Sequence, residues 1–382
     1  MPEQLNSSLK EKHLEELKVS NRILMGPGPS DVNPRVLKAM STPLIGHLDP
    51  EFVQIMDEIK EMAKQTFLTE NELTFIVSAP GSAGMETVLV NLLEPGDEAV
   101  ICVHGVFGMR MAEIAERCGA KVIKVEAPWG EPIDLENISR ALETCKPKLV
   151  SIVHAETSTG VLQPLKEISE LVHDAGALFV VDAVTSYTGT ELRVDDWGID
   201  AIYSGTQKCL SAPPGLSPVS FSANAVEVLN NRKKKVQSWF LDLSLVKDYW
   251  AGAKRAYHHT APVSAMYALR EAYQLVLEEG LENRWQRHQQ NHELLKHGLE
   301  AMGFEFLVDE PYRLPMLNAV KVPQGIDDAA VRSTLLNEYN IEIGAGLGQF
   351  AGNVWRIGIM GESSTPYHVN TLLTALKEIT NQ

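Results

Sequence analysis

A lysine stands directly behind a short apolar run in Tyr203-Ser204-Gly205-Thr206-Gln207-Lys208, in a small, polar turn followed by Pro213-Pro214-Gly215. About one βα unit upstream, Leu178-Phe179-Val180-Val181-Asp182-Ala183-Val184 places an acid at the end of another apolar run. In open α/β sheets ligands sit beyond the carboxyl ends of the strands, so both side chains can meet in one crevice. A lysine amine forms a Schiff base with a carbonyl compound. A carboxylate facing a pyridine nitrogen keeps it protonated, so that the ring accepts carbanion electrons. Together the pair suits pyridoxal phosphate chemistry. Taken singly, Asp182 is better read as a helix cap after a strand and Lys208 as a surface lysine after a turn; only the pair turns the reading.

A phosphate cradle is the next requirement. Ser78-Ala79-Pro80-Gly81-Ser82-Ala83-Gly84 joins a strand to the helix that contains Met85–Leu93, and backbone N–H groups at such a junction can hold a phosphate. Neither a G-x-x-x-x-G-K-[ST] loop nor a G-x-G-x-x-G turn is present. Glycine-rich turns of this kind are common, so this one alone decides nothing.

The elements that must position these residues alternate. Short apolar runs at Leu73–Ser78, Ala99–Val103, Lys121–Val125, Leu149–His154, Leu178–Val184, Ala201–Ser204 and Val219–Phe221 are separated by helical patterns at Gly84–Leu93, Met109–Cys118, Leu135–Cys145 and Leu165–Ala175. Near-continuous apolar strands belong to sheets covered by helices on both faces. The fold class is therefore α/β, with a mostly parallel seven-stranded sheet in a large domain. After residue 225 the texture changes. Long helices at Ala261–Glu279 and Asn283–Met302 lead to strands at Phe304–Val308, Asn318–Val322 and Val354–Ile359, interleaved with helices at Asp328–Tyr339 and Tyr367–Ile379. The expected division is an extended surface arm over residues 1–35, a large domain over 36–281 and a smaller α+β domain over 282–382.

Composition narrows the function. Against 34 Lys and Arg stand 50 Asp and Glu, a formal charge of −16. Phosphate backbones attract basic proteins, so nucleic acid is not expected as the main partner. No apolar run is long enough to span a bilayer, and Met1–Val19 is polar with four acids, unlike a secretion or transit leader. The four cysteines show no C-x-x-C pairing, which fits a reducing compartment and a cytoplasmic protein.

From Gly26-Pro27-Gly28-Pro29-Ser30 to about Leu376 the chain resembles the alanine–glyoxylate and serine–pyruvate aminotransferases of the class V, fold-type I, pyridoxal-phosphate family. The resemblance rests on Gln54-Ile55-Met56-Asp57-Glu58-Ile59-Lys60-Glu61, Leu93-Glu94-Pro95-Gly96-Asp97, Ser158-Thr159-Gly160-Val161-Leu162-Gln163-Pro164-Leu165 and the lysine turn. It continues through Ala212-Pro213-Pro214-Gly215, Tyr257-His258-His259-Thr260 and Arg356-Ile357-Gly358. It implies an enzyme that moves an amino group from alanine, or serine, to glyoxylate. Lys208 would be the Schiff-base lysine and Asp182 the ring-nitrogen partner. Gly81, Ser82 and Gln207 would meet the phosphate, with Tyr257 and Thr260 reaching it from the second subunit of a homodimer. Thr157 would contact the ring oxygen and Val184 would pack on one ring face. Gly28 and Arg356 would bind substrate, the latter by its α-carboxylate, which a bidentate guanidinium suits.

The chain departs from that pattern in carrying Phe107 where relatives stack a tryptophan on the ring, and Pro80-Gly81-Ser82-Ala83 where they often have a histidine. Read from the residues alone, Arg356 in the apolar strand Val354–Ile359 serves an internal ion pair or a substrate anchor equally well, because an unpaired buried arginine is expensive. His288 and His292 have the i,i+4 spacing of zinc ligands but lack a third ligand, so a solvated helix face is expected, with no metal. Arg232-Lys233-Lys234-Lys235 reads as a solvated helix end. Other small-substrate class V aminotransferases remain an alternative. A desulfurase or lyase would need a reactive cysteine; Cys209, beside Lys208, reads as a small packing residue. An inactive scaffold would not need both Lys208 and Asp182.

Overall fold

The computed structural model describes residues 16–250 and 255–380. The first fifteen residues of the expected arm lie outside that range. Seven strands form the main sheet: β1 (Leu73–Val77), β2 (Glu98–Val103), β3 (Lys121–Glu126), β4 (Leu149–Val153), β5 (Leu178–Asp182), β6 (Ala201–Tyr203) and β7 (Ser217–Phe221). Their order is β1-β7-β6-β5-β4-β2-β3, and only β7 runs antiparallel to its neighbours. Every residue of β4, β5, β6 and β7 is buried, as sequences without polar alternation require.

Helices α1 (Pro50–Phe67), α2 (Gly81–Leu92), α3 (Val106–Arg117), α4 (Leu135–Thr144) and α5 (Lys166–Asp174) cover this sheet, with α6 (Val263–Glu279) packed against α1. Several begin on side-chain caps. Asp49 accepts from Glu51 N–H ahead of α1, and Asp134 accepts from Glu136 N–H ahead of α4, each satisfying an amide that the helix cannot. α2, which starts after Pro80, and α3, which starts after Gly105, are among the helices that lack a side-chain cap from their own N-cap residue. Both starts lie at the candidate site.

One hydrophobic core runs from Val36 to Leu281 and another gathers Met25 with residues from Leu295 to Leu376. The second surrounds a three-stranded antiparallel sheet of β8 (Leu317–Lys321), β9 (Gly344–Ala345) and β10 (Val354–Gly358), with β10 in the middle, and is crossed by α7 (Leu281–Ala301). A small cluster that includes Ala155, Cys209, Met316 and Met360 lies beside these two.

Several expectations need correction. Phe304–Val308 is not a strand; its alternating burial persists, but it makes a single bridge, Phe306 with Val320. The Pro- and Gly-rich arm does not cross the surface. Met25, Gly26 and Ser30 are buried, and Ile23–Leu24 pairs parallel to Ile341–Glu342. His288 and His292 lie on a buried face of α7. The Nε2 of His288 accepts the Gly361 N–H at 2.9 Å while its Nδ1 meets the Arg284 carbonyl, and His292 Nδ1 meets Asn318 Oδ1 at 2.7 Å. Burial holds both rings neutral by pushing their pKa values down, which suits these neutral hydrogen bonds. Arg232 does not trail into solvent as a helix end. Its Nη1 donates to the carbonyls of Asn91 and Leu93, closing the C-terminus of α2. No helix among the described residues is long and apolar enough to cross a membrane.

Candidate active site

The parallel register sets Asp182, the last residue of β5, beside Tyr203, the last of β6. That neighbour is the residue sequence reasoning missed. Tyr203 OH donates to Asp182 Oδ2 at 2.9 Å and the Val184 N–H donates to Oδ1 at 2.8 Å. Asp182 is almost wholly enclosed, and burial pushes its pKa up to about 7, against the pull of its two donors and Lys208. A cation beside it would restore the carboxylate, which is the condition for protonating a pyridine nitrogen.

Lys208 follows β6 by one short turn and points into the same cavity of about 180 Å³, which Asp182, Thr157, Val184, Gln207, Phe107, Gly81 and Ser82 also line. Its ammonium donates to the Pro27 carbonyl of the arm. Burial, and then the positive charge of Arg356, lower its pKa to about 8, so a neutral, nucleophilic amine is accessible near neutrality. A Cβ on Gly28, which sits at φ +106°, would approach Lys208 Cδ to 2.7 Å, so only glycine lets the arm lie this close.

The expected loop at Gly81 and Ser82 is the first turn of α2, three residues earlier than the apolar pattern suggests. Helix starts leave amide donors that the helix itself cannot use, and Pro80 offers no side-chain acceptor. A Cβ on Gly81 would meet Val184 Cγ2 at 3.2 Å, so the glycine keeps that corner open. Gln207 Oε1 is buried there with no partner among the described residues; as an acceptor it offers a phosphate nothing, and only the NH2 end of that amide could donate. The open corner and the uncapped amides of α2 fit a phosphate monoester.

The start of α3 is filled from a distance. The buried Glu156 accepts from Phe107 N–H at 3.1 Å and from Ser158 Oγ at 2.6 Å, while Ser158 Oγ accepts from Val106 N–H. This fixes Phe107 on the cavity wall. The signal was available in Glu156-Thr157-Ser158, polar residues directly after an apolar strand. Gly105 has to be glycine because a Cβ would run into Glu156.

Arg356, on β10, makes no ion pair with a carboxylate among the described residues. It donates from Nε to the Ala345 carbonyl at 2.7 Å and from Nη1 to the Thr157 carbonyl at 3.3 Å. Its sequence reading as half of an internal ion pair is thereby set aside. Tyr257 and Thr260 are both exposed and neither lines the cavity of its own chain; Tyr257 packs on His47. Cys209 is fully buried, its thiol donates to the Thr185 carbonyl at 3.3 Å, and burial pushes its pKa up to about 12. It is a packing residue rather than a nucleophile.

Residues 24–353 match the family Aminotransferase class-V. The chain belongs to the class V aminotransferases. It is 42% identical to the (S)-ureidoglycine–glyoxylate transaminase of Bacillus subtilis, over 95% of this chain and 92% of that one. It is 43% identical to the alanine–glyoxylate aminotransferase of Rattus norvegicus, over 95% and 88%. The crystal structure of alanine–glyoxylate aminotransferase from Nostoc sp. superposes with a TM-score of 0.94 at 48% identity, covering 96% of this chain and 97% of that one. A cysteine desulfurase from Thermococcus onnurineus superposes at 0.74 with 16% identity and shares the fold alone. A class V aminotransferase is a fold-type I enzyme that works with pyridoxal phosphate, as the cavity residues fit.

Proposed function

We propose that the enzyme transfers the amino group of a small amino acid, alanine first and serine next, to glyoxylate, giving glycine with pyruvate or hydroxypyruvate. The observation that carries this reading is the meeting of Lys208 and Asp182 at the carboxyl ends of adjacent strands, with a carboxylate-free Arg356 nearby. When bound, pyridoxal phosphate supplies an aldehyde that takes the amino group and a pyridinium ring that draws off the electrons of the broken Cα–H bond.

The chain's own residues do the rest. Lys208 holds the cofactor through Nζ. Set free by an amino substrate, its Nζ would be the base that takes the substrate α-proton and the acid that returns it, work that needs a group held beside the reacting carbon. Asp182, kept in place by Tyr203 and the Val184 amide, holds the ring-nitrogen proton. Gly81, Ser82 and Gln207 receive the phosphate, Thr157 the ring oxygen, and Phe107 and Val184 the two ring faces. Arg356 and the narrow approach at Gly28 receive the substrate carboxylate. The two half-reactions share one site, so the kinetics are ping-pong.

Exposed Tyr257 and Thr260 reach the phosphate of a second copy, making the active unit a homodimer with shared sites. All four cysteines are free thiols, in keeping with the cytoplasm. A second reading takes (S)-ureidoglycine as donor, on the strength of the Bacillus subtilis relative. Measuring kcat/KM for alanine, serine and (S)-ureidoglycine with glyoxylate tests both. Alanine should lead, with serine within about 10²-fold because one hydroxyl gives an apolar pocket little to reject. Failure of every donor to aminate glyoxylate defeats the proposal.

A further inference from the structure

A phosphate monoester brings close to two negative charges at neutral pH, yet Gly81, Ser82 and Gln207 are all neutral. Among the described residues two cationic side chains line the cavity, Lys208 and Arg110. Lys208 sits at the Asp182 end, where it is needed for attachment. Arg110, an exposed side chain on the cavity's rim, stands at the other, against Ser82. It follows Phe107 by three residues on α3, the spacing that places two side chains on one helix face. Its guanidinium lies 5.0 Å from the centroid of the Phe107 ring, and its Nη1 donates to Ser82 Oγ at 3.2 Å. Among the described residues no carboxylate pairs with it, although α3 carries Glu113 and Glu116; these face Arg117 and Lys124.

We propose that Arg110 is the counter-charge for the cofactor's phosphate and the brace between the phosphate turn and the stacking ring. Its fork offers more donors than Ser82 takes, and a planar guanidinium can bind phosphate while lying over an aromatic face. By this account the pocket discriminates phosphorylated from unphosphorylated pyridoxal through a residue of α3 as well as through the start of α2. A guanidinium that merely covered Phe107 at the surface would be worth much less, and would show no preference for the phosphate.

The inference rests on the pyridoxal-phosphate reading, and the test separates the two. Cofactor-free full-length enzyme is titrated with pyridoxal phosphate and with pyridoxal, following absorbance and quenching of intrinsic fluorescence. Wild-type enzyme should bind the phosphorylated form far more tightly; failure to take it up at all would overturn the cofactor reading and this inference together. Arg110→Gln should weaken pyridoxal phosphate about 10–100-fold, the loss of a charge-assisted hydrogen bond, and leave pyridoxal within about twofold. Arg110→Lys should recover part of the loss. Phe107→Leu should weaken both ligands alike. Inorganic phosphate should compete with pyridoxal phosphate in the wild type and less so in Arg110→Gln. Equal weakening of both ligands in Arg110→Gln, or weakening of neither, overturns the proposal.

Discussion

Asp182 and Arg356 carry opposite charges at the same site and are housed in opposite ways. Asp182 closes a strand of the large sheet, and both its oxygens are held by donors fixed to the backbone or to a neighbouring strand. Arg356 belongs to the smaller sheet and leans on two carbonyls, one from β9 and one from Thr157 across the site. Among the described residues neither has an oppositely charged partner in hydrogen-bond contact, and Lys208 feels both: Asp182 raises its pKa, Arg356 lowers it. Under the proposed function the contrast separates two jobs. A group that holds one proton on a bound ring has to be immobile, whereas a group that receives two successive substrates needs donors left over.

Removing the group that feels both charges should have the largest effect. Lys208→Ala should lower kcat by at least about 10⁴-fold and abolish the visible band that pyridoxal phosphate forms with the wild type; turnover without that band would break the scheme.

Asp182→Asn comes next. It keeps the shape and hydrogen-bonding capacity but leaves the ring nitrogen without a charge, a loss of about 10²–10³-fold in kcat if it matches the removal of one partner from a buried pair. Cofactor affinity, measured separately by titration, should fall less.

Arg356→Lys probes the opposite wall. A point charge replaces a fork, so KM for both alanine and glyoxylate should rise about tenfold or more while kcat changes little. An equal loss in kcat would mean that Arg356 acts on the chemistry, and the contrast with Asp182 would fail.

The smallest effect is expected of Tyr203→Phe. Deleting a donor to a carboxylate favours its neutral form, so the pKa of Asp182, already about 7 from burial in the cofactor-free chain, should move up. In that form, measured by following the carboxyl group through a pH titration, the ionised fraction should appear at higher pH than in the wild type. Turnover should drop about tenfold, the worth of one hydrogen bond to a charged group.

Much of this was legible. The strands of the large sheet were, because runs such as Leu178–Val184 carry little polar alternation, as burial on both faces requires. Lys208 and Asp182 were, because strand ends set where chemistry can sit. Less visible were contacts made by register rather than by spacing: Tyr203 meets Asp182 only because β5 and β6 are adjacent and parallel. The helix over Pro50–Phe67 could have been read from Asp49-Pro50, a cap followed by a proline suited to the first turn. The burial of His288 and His292 could not, since α7 is polar overall and only its packing between the arm-bearing core and the turn at Gly361 decides which face is enclosed.

The arm has a temporal consequence. Met25 donates to the Glu342 carbonyl and accepts from the Gly358 amide, so the first described strand is seated on residues more than three hundred positions later. Contacts of such separation are slow to form, and during synthesis their partners do not yet exist. The oxygen of Pro27 can therefore settle on Lys208 only after the residues around Glu342 and Gly358 have left the ribosome, and a chain interrupted shortly before β10 would carry every residue of the large sheet and still leave its lysine unroofed.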